Sequence, residues 1–120
     1  MILLVEDNVI NAKVATIILQ RLGHNVDTAN NGREAVTAYS SGDYDLILMD
    51  MQMPVMDGLE ATRQIRQLED NEKWTPIIAL TANALKDDVE RCVAAGMDAH
   101  LGKPINLEEL QAVLGRCTQT

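Results

Sequence analysis

Five residues with chemically active side chains follow short apolar runs in this chain. Glu6-Asp7 follow Ile2–Val5, Asp50 follows Leu46–Met49, Thr81 follows Ile77–Leu80, and Lys103-Pro104 lie just beyond Ala99–Leu101. Three carboxylates brought together repel one another and push one toward protonation unless a cation neutralises them. Mg²⁺ suits them: it is hard, prefers oxygen in octahedral geometry, and binds one or two carboxylates while keeping waters and a phosphate oxygen. Mn²⁺ is an admissible substitute. The set therefore points to phosphoryl chemistry, with one carboxylate as nucleophile and the metal bridging it to the incoming group. Lys103 offers a compact positive charge to a phosphoryl oxygen, and Thr81 a neutral donor.

Each residue also has a plain structural reading. Glu6-Asp7 would complement the dipole of a following helix, Asp50 would start a turn, Thr81 would cap a helix near Asn83, and Lys103 would be a solvated charge. What sets these readings aside is joint placement, because chance would scatter the same residues over both ends of the predicted strands.

The elements that must position them alternate along the chain. Ile2–Val5, Asn25–Ala29, Leu46–Met49, Ile77–Leu80 and Ala99–Leu101 read as strands, most without strict alternation, as strands buried on both faces would be. Between them run helical patterns. The first places Ile10, Val14, Ile17 and Ile18 on one face and stops at Gly23. Ala35, Val36 and Tyr39 mark a second, Ala61, Ile65 and Leu68 a third, and Val89, Cys92 and Val93 a fourth ending near Gly96. Leu107, Leu110, Leu114 and Cys117 mark a fifth behind an Asn106 cap. Five βα units imply an α/β fold, a doubly wound parallel sheet with right-handed crossovers, whose ligands bind beyond the carboxyl ends of the strands. The polar stretch Gln67 to Thr75 reads as a solvated connection, with Trp74 a partly covered surface aromatic.

Composition narrows the function. The 120 residues read as one domain over 1–120, cut from a longer polypeptide, and no apolar run reaches membrane-spanning length. Lys+Arg 10 against Asp+Glu 18 gives a net charge of −8, which repels phosphate backbones and anionic membranes. With Phe 0, Trp 1 and Tyr 2, little is available to stack on bases. Direct nucleic-acid or membrane contact is therefore not expected. Cys92 and Cys117 form no CxxC and read as reduced thiols in helices, which places the chain in the cytoplasm. Met49, Met51, Met53 and Met56 read as packing around Asp50.

Four ordered stretches carry a family resemblance over essentially the whole chain. Leu4-Val5-Glu6-Asp7-Asn8, Leu48-Met49-Asp50-Met51-Gln52-Met53-Pro54-Val55-Met56-Asp57-Gly58, Ala79-Leu80-Thr81-Ala82 and Gly102-Lys103-Pro104 resemble the signatures of the response-regulator receiver domain. The resemblance implies a flavodoxin-like sheet of order 2-1-3-4-5. It further implies that Asp50 accepts a phosphoryl group from a phosphohistidine on a histidine kinase or histidine phosphotransfer domain. Asp7, Asp50 and the Gln52 backbone carbonyl would ligate Mg²⁺, and Glu6 would act through a metal-bound water. Thr81 would move toward the phosphoryl oxygens, Lys103 would pair with them, and the Lys103-Pro104 bond would be cis. Gln52 and Asn83 occupy the positions that tune dephosphorylation, and Asn83 to Cys117 would form the output surface. The Met51 to Thr62 run and Thr81-Ala82-Asn83-Ala84 resemble receivers of hybrid sensor histidine kinases. Two departures stand out: the acidic pair is Glu-Asp instead of Asp-Asp, and His100 stands where the family often has a Tyr or Phe switch. A histidine there can fill the same pocket and also titrate near neutral pH.

Other readings fit less well. A Mg²⁺-dependent aspartyl phosphatase needs a second acid two residues after its nucleophile, where this chain has Gln52. A flavin site after the first strand would meet the repulsion of Glu6-Asp7, and neither GxxxxGK[ST] nor GxGxxG is present. A receiver-like interaction module that is never phosphorylated is the remaining alternative. As an enzyme the isolated domain would only modify itself, and any histidine kinase activity would belong to the parent chain.

Overall fold

The computed structural model of the protein describes residues 1–42, 44–51, 56, 58–69, 75–81, 86–102 and 107–118, with backbone alone at 86–89, 92, 107 and 116–118. The elements run β1 (Ile2–Val5), α1 (Val9–Arg21), β2 (Val26–Ala29), α2 (Gly32–Ser41), β3 (Leu46–Asp50), α3 (Gly58–Leu68), β4 (Ile77–Thr81), α4 (Lys86–Ala95), β5 (Ala99–Gly102) and α5 (Leu107–Thr118). All five strands are parallel in the order β2-β1-β3-β4-β5. Fold class and strand order agree with the sequence reading. Asp50 and Thr81 are the last residues of their strands, not the first of the loops. Strand backbone therefore holds them more firmly than a loop would.

β1, β3 and β4 are buried along their whole length, which accounts for their continuous apolar runs. Their side chains divide by parity. Leu3, Val5, Ile47, Met49, Ile77 and Ala79 join Ala35 and Tyr39 of α2 and Ala61 and Ile65 of α3. Ile2, Leu4, Leu46, Leu48, Ile78 and Leu80 join Ala15 and Leu19 of α1 and Leu110, Val113 and Leu114 of α5. Met51 and Met56 pack against the first of these layers, in keeping with a packing role for the methionines; Met53 lies outside the described residues. Cys92 and Cys117 fall in α4 and α5.

The first helix departs from its expected orientation. Ile10, Val14 and Ile17 do share a face, but that face is solvent-exposed, with Val9 beside it, at 72%, 49%, 50% and 69% exposure in turn. The buried stripe is Ala15 and Leu19, with Ala12, Ile18 and Leu22 partly covered. Alanines let α1 sit close to the sheet, and helical periodicity alone cannot say which of two apolar stripes turns inward. The helix ends as expected: Gly23 takes φ +91°, its amide reaches Gln20 O at 3.0 Å, and His24 N reaches Leu19 O at 3.1 Å. Leu68 and Val93, which mark the third and fourth helices in the sequence, are exposed at 52% and 65%.

The connection after α3 also differs from expectation, since its described ends are clamped instead of solvated. Arg66 donates to Glu69 and Asp98 carboxylates, at 2.5 and 2.8 Å, and to the carbonyls of Thr75 and Gly96, at 2.8 and 3.0 Å. Glu69 Oε2 accepts from Thr75 N and from the Tyr39 hydroxyl, and Asp98 Oδ2 accepts from Ile77 N. The network joins α3 to the starts of β4 and β5 at the sheet edge remote from Asp50. Trp74 lies outside the described residues.

These part-buried polar contacts generate two predictions. Arg66→Met should cost about 3 kcal/mol in urea unfolding, because it strands the buried Glu69 carboxylate, and Arg66→Lys should not recover it, since an ammonium cannot reproduce the fork; a loss below about 1 kcal/mol would contradict the clamp. The Tyr44 hydroxyl donates to Asp27 at 3.0 Å, and burial first, then that hydrogen bond and the carboxylate's charge, raise its pKa above the usual tyrosine value. The stability it contributes is complete below pH about 10 and is lost as pH rises through the raised value. Tyr44→Phe should therefore cost about 1 kcal/mol at neutral pH, and the gap should close in alkali. A gap that widens with pH would contradict the assignment.

Candidate functional site

The parallel sheet delivers the expected carboxylates to one place. Glu6 and Asp7 follow β1, Asp50 ends the neighbouring β3, and one carboxylate oxygen from each lies within 4.8 Å of the others. Glu6 and Asp50 are buried at 4% and 2% exposure, and Asp7 opens to solvent. Two buried carboxylates this close repel by about 3 kcal/mol at an effective dielectric constant near 20, and a bound divalent cation would turn that repulsion into attraction. A cluster of three oxygen donors, one of them open to water, fits a small hard cation that keeps part of its hydration shell.

Local structure fixes each member. Glu6 N donates to Ala29 O at 3.0 Å, and Glu6 Oε1 accepts from Asn8 N at 3.2 Å. Asn8 caps α1, its side chain accepting from Asn11 N. Glu6 and Asp7 therefore precede the cap, and the first turn of α1 carries no acid, so they are not ordinary first-turn charges. On the other side, Met51 N donates to Leu80 O at 3.1 Å, and Gly58 N to Met51 O at 3.4 Å. A methyl group added at Gly58 would run into the Asp50 carbonyl oxygen, so α3 can start against the end of β3 only with glycine there. Thr62 Oγ donates to Gly58 O at 2.7 Å and completes that contact.

Thr81 ends β4 beside Asp50 and is 7% exposed; β3 pairs Asp50 with Leu80, one residue short of it. His100 is exposed on the edge strand β5, opposite Ala79, and so shares the Thr81 face two positions nearer the strand start. The structure does not bring it to the carboxylates. Lys103, Pro104, Gln52 and Asn83 lie outside the described residues, as does the Asn106 cap. What the sequence did not reveal is the outward apolar stripe of α1, which begins two residues after Asp7. Its signal was a helix apolar on nearly every side, with Lys13 and Arg21 its only charges.

Among the described residues, no helix is long and apolar enough to cross a membrane. The chain is 45% identical over 138 residues to Histidine kinase 5 of Arabidopsis thaliana, an alignment that takes in 94% of this chain and 15% of that protein. Of solved structures, the receiver domain of sensor histidine kinase PA1611 from Pseudomonas aeruginosa, which holds a magnesium ion in its active-site cleft, is 47% identical, with a TM-score of 0.90 over 99% of this chain and 97% of that one. The receiver domain of the Saccharomyces cerevisiae response regulator Ssk1, crystallised with the histidine phosphotransfer protein Ypd1, is 34% identical, with a TM-score of 0.89 over 98% and 87%. Residues 2–115 match the response regulator receiver domain, and with the sheet order and acidic cluster already described, the chain belongs to that family.

Proposed function

We propose that the chain is a phosphorelay receiver in which Asp50 accepts a phosphoryl group from a phosphohistidine. The convergence of Glu6, Asp7 and Asp50 within 4.8 Å carries this reading. An Asp50 carboxylate oxygen attacks phosphorus, the phosphorus–nitrogen bond breaks, and the imidazole leaves and takes up a proton, giving an acyl phosphate on the aspartate. Mg²⁺, held by Asp7 and Asp50 with the Gln52 carbonyl and by Glu6 through water, would neutralise the charge that gathers at the phosphoryl oxygens. Thr81 donates to the new phosphoryl group and Lys103 pairs with it. His100, sharing the Thr81 face, follows that movement, so that the modification shifts a two-state equilibrium in the surface from α4 to α5. Gln52 and Asn83 tune how long the acyl phosphate lasts.

The donor we assign is a histidine kinase or a histidine phosphotransfer protein, the latter being the kind of partner crystallised with the Ssk1 receiver. The exposed Val9, Ile10, Val14 and Ile17 stripe beside Asp7 supplies its landing surface. That face carries Lys13 and Arg21 on a chain of net charge −8, so it favours an apolar patch rimmed by acids. This domain spans about 15% of the curated kinase it resembles, and we place it as the receiver portion of a longer cytoplasmic histidine kinase chain.

Intact mass after incubation with acetyl phosphate should show one phosphoryl adduct that needs Mg²⁺ and is absent in Asp50→Asn. Without Mg²⁺ that variant should be at least as stable as wild type, because a repelling charge is gone. If neither acetyl phosphate nor phosphohistidine donors gave an adduct, the chain would instead be an interaction module with a structural acidic pocket. A second test separates docking from chemistry. Ile10→Ser with Val14→Ser should slow transfer from a phosphorylated phosphotransfer domain by about tenfold, an interface loss of about 1.4 kcal/mol, with acetyl phosphate labelling unchanged. Equal slowing of both would remove α1 from the docking surface.

A further inference from the structure

We infer that the connection from β2 to α2 sets the spacing of the two carboxylate-bearing loops, with Asn31 and Glu34 as positioning residues, although it supplies nothing to the site itself. The inference rests on reading Glu6, Asp7 and Asp50 as a cation-assisted acceptor site. At one end of this connection, Ala29 O accepts from Glu6 N at 3.0 Å. Three residues on, Gly32 N donates to Met56 O at 3.1 Å. The connection therefore grips the loop after β1 with one hand and the loop after β3 with the other. Met56 leads to Gly58, which sits against the Asp50 carbonyl, so a short chain of backbone contacts runs from Glu6 through Ala29, Gly32, Met56 and Gly58 to Asp50.

The grip depends on a rigid start to α2. Gly32 is buried and is the first residue of that helix, where an amide has no partner within the helix and is available for another acceptor. Asn31 and Glu34 hold that turn reciprocally. The Asn31 Oδ1 accepts from Glu34 N at 2.9 Å, its Nδ2 donates to Glu34 Oε2 at 3.3 Å, and Asn30 N donates to Glu34 Oε1 at 3.4 Å. This variant of the capping box, in which Glu34 takes the amide of Asn30 instead of that of the cap residue, fixes where Gly32 N points. Without it the first turn frays, Met56 O loses its donor, and the Asp50 loop can drift from the Glu6 loop.

The test measures Mg²⁺ dissociation constants by NMR titration of the whole chain, with amide exchange read in the metal-free protein. Asn31→Ala with Glu34→Ala should weaken Mg²⁺ binding by about tenfold, the usual scale for losing an outer support of a metal site, and should speed exchange at Gly32. Asn31→Ser, which can still cap, should bind Mg²⁺ within about twofold of wild type. Tyr44→Phe, a destabilising change elsewhere, should leave the constant unaltered. Faster exchange at Gly32 with unchanged Mg²⁺ affinity in the double variant would overturn the inference, and so would an equal loss in Tyr44→Phe. If wild type itself bound no Mg²⁺, the acceptor-site reading would fail. The metal-free exchange would then decide the positioning role: Glu6 and Met51 amides loosening with Gly32 in the double variant would support it, and Gly32 loosening alone would overturn it.

Discussion

Mutual repulsion among Glu6, Asp7 and Asp50 is the constraint on which the rest of this structure depends. Carboxylates left to themselves spread out into water; here two are buried and all three offer oxygens within 4.8 Å. Something must hold them against their own field, and backbone does so. β1 and β3 are hydrogen-bonded neighbours in register, so residues that follow β1 and end β3 emerge side by side whatever their charge. Burial of Leu4, Leu48 and Leu80 on one face and Val5, Met49 and Ala79 on the other stabilises that pairing. Apolar burial thus offsets the electrostatic cost of the site.

The two edges of the sheet are built for different tasks. At the start of β4 and β5, Arg66 ties Glu69, Thr75, Gly96 and Asp98 into a dense network of charged hydrogen bonds. At the carboxyl edge, the described residues of the loop after β3 make backbone hydrogen bonds to β4, α2 and α3. Charge-assisted hydrogen bonds are stronger than neutral backbone ones, so the clamped edge resists rearrangement more. On the proposed reading, modification of Asp50 acts at the carboxyl edge while the Arg66 clamp keeps the opposite edge fixed.

Much of this was legible in the chain because the informative residues are local. Five apolar runs set the strands, the lack of alternation in β1, β3 and β4 marked their burial on both faces, and the residues next to four of the runs named the chemistry. Boundaries shifted by one residue, and the shift matters at Asp50 and Thr81, which belong to strands. The orientation of α1 was not legible. Ile10, Val14 and Ile17 satisfy the helical period as well as Ala15 and Leu19 do, and only the sheet decides which stripe it accepts. The Arg66 clamp was hidden for a different reason. Its acceptors come from residues 69, 75, 96 and 98, a pattern with no period to detect.

The same limit explains why the supports of the site were harder to read than the site. A carboxylate after a strand is conspicuous by type, but a carbonyl that receives an amide is carried by every residue and leaves no mark in composition. Gly58 stands in the sequence only as one residue of a motif, and both its close approach to Asp50 and the Met56 carbonyl contact emerge from the structure alone. Side chains in this fold declare the chemistry, and backbone groups two connections away set the distances at which it works. That division leaves Glu6 free to stand where the resembled family has an aspartate, since Glu6 N is placed by Ala29 O whatever the side chain.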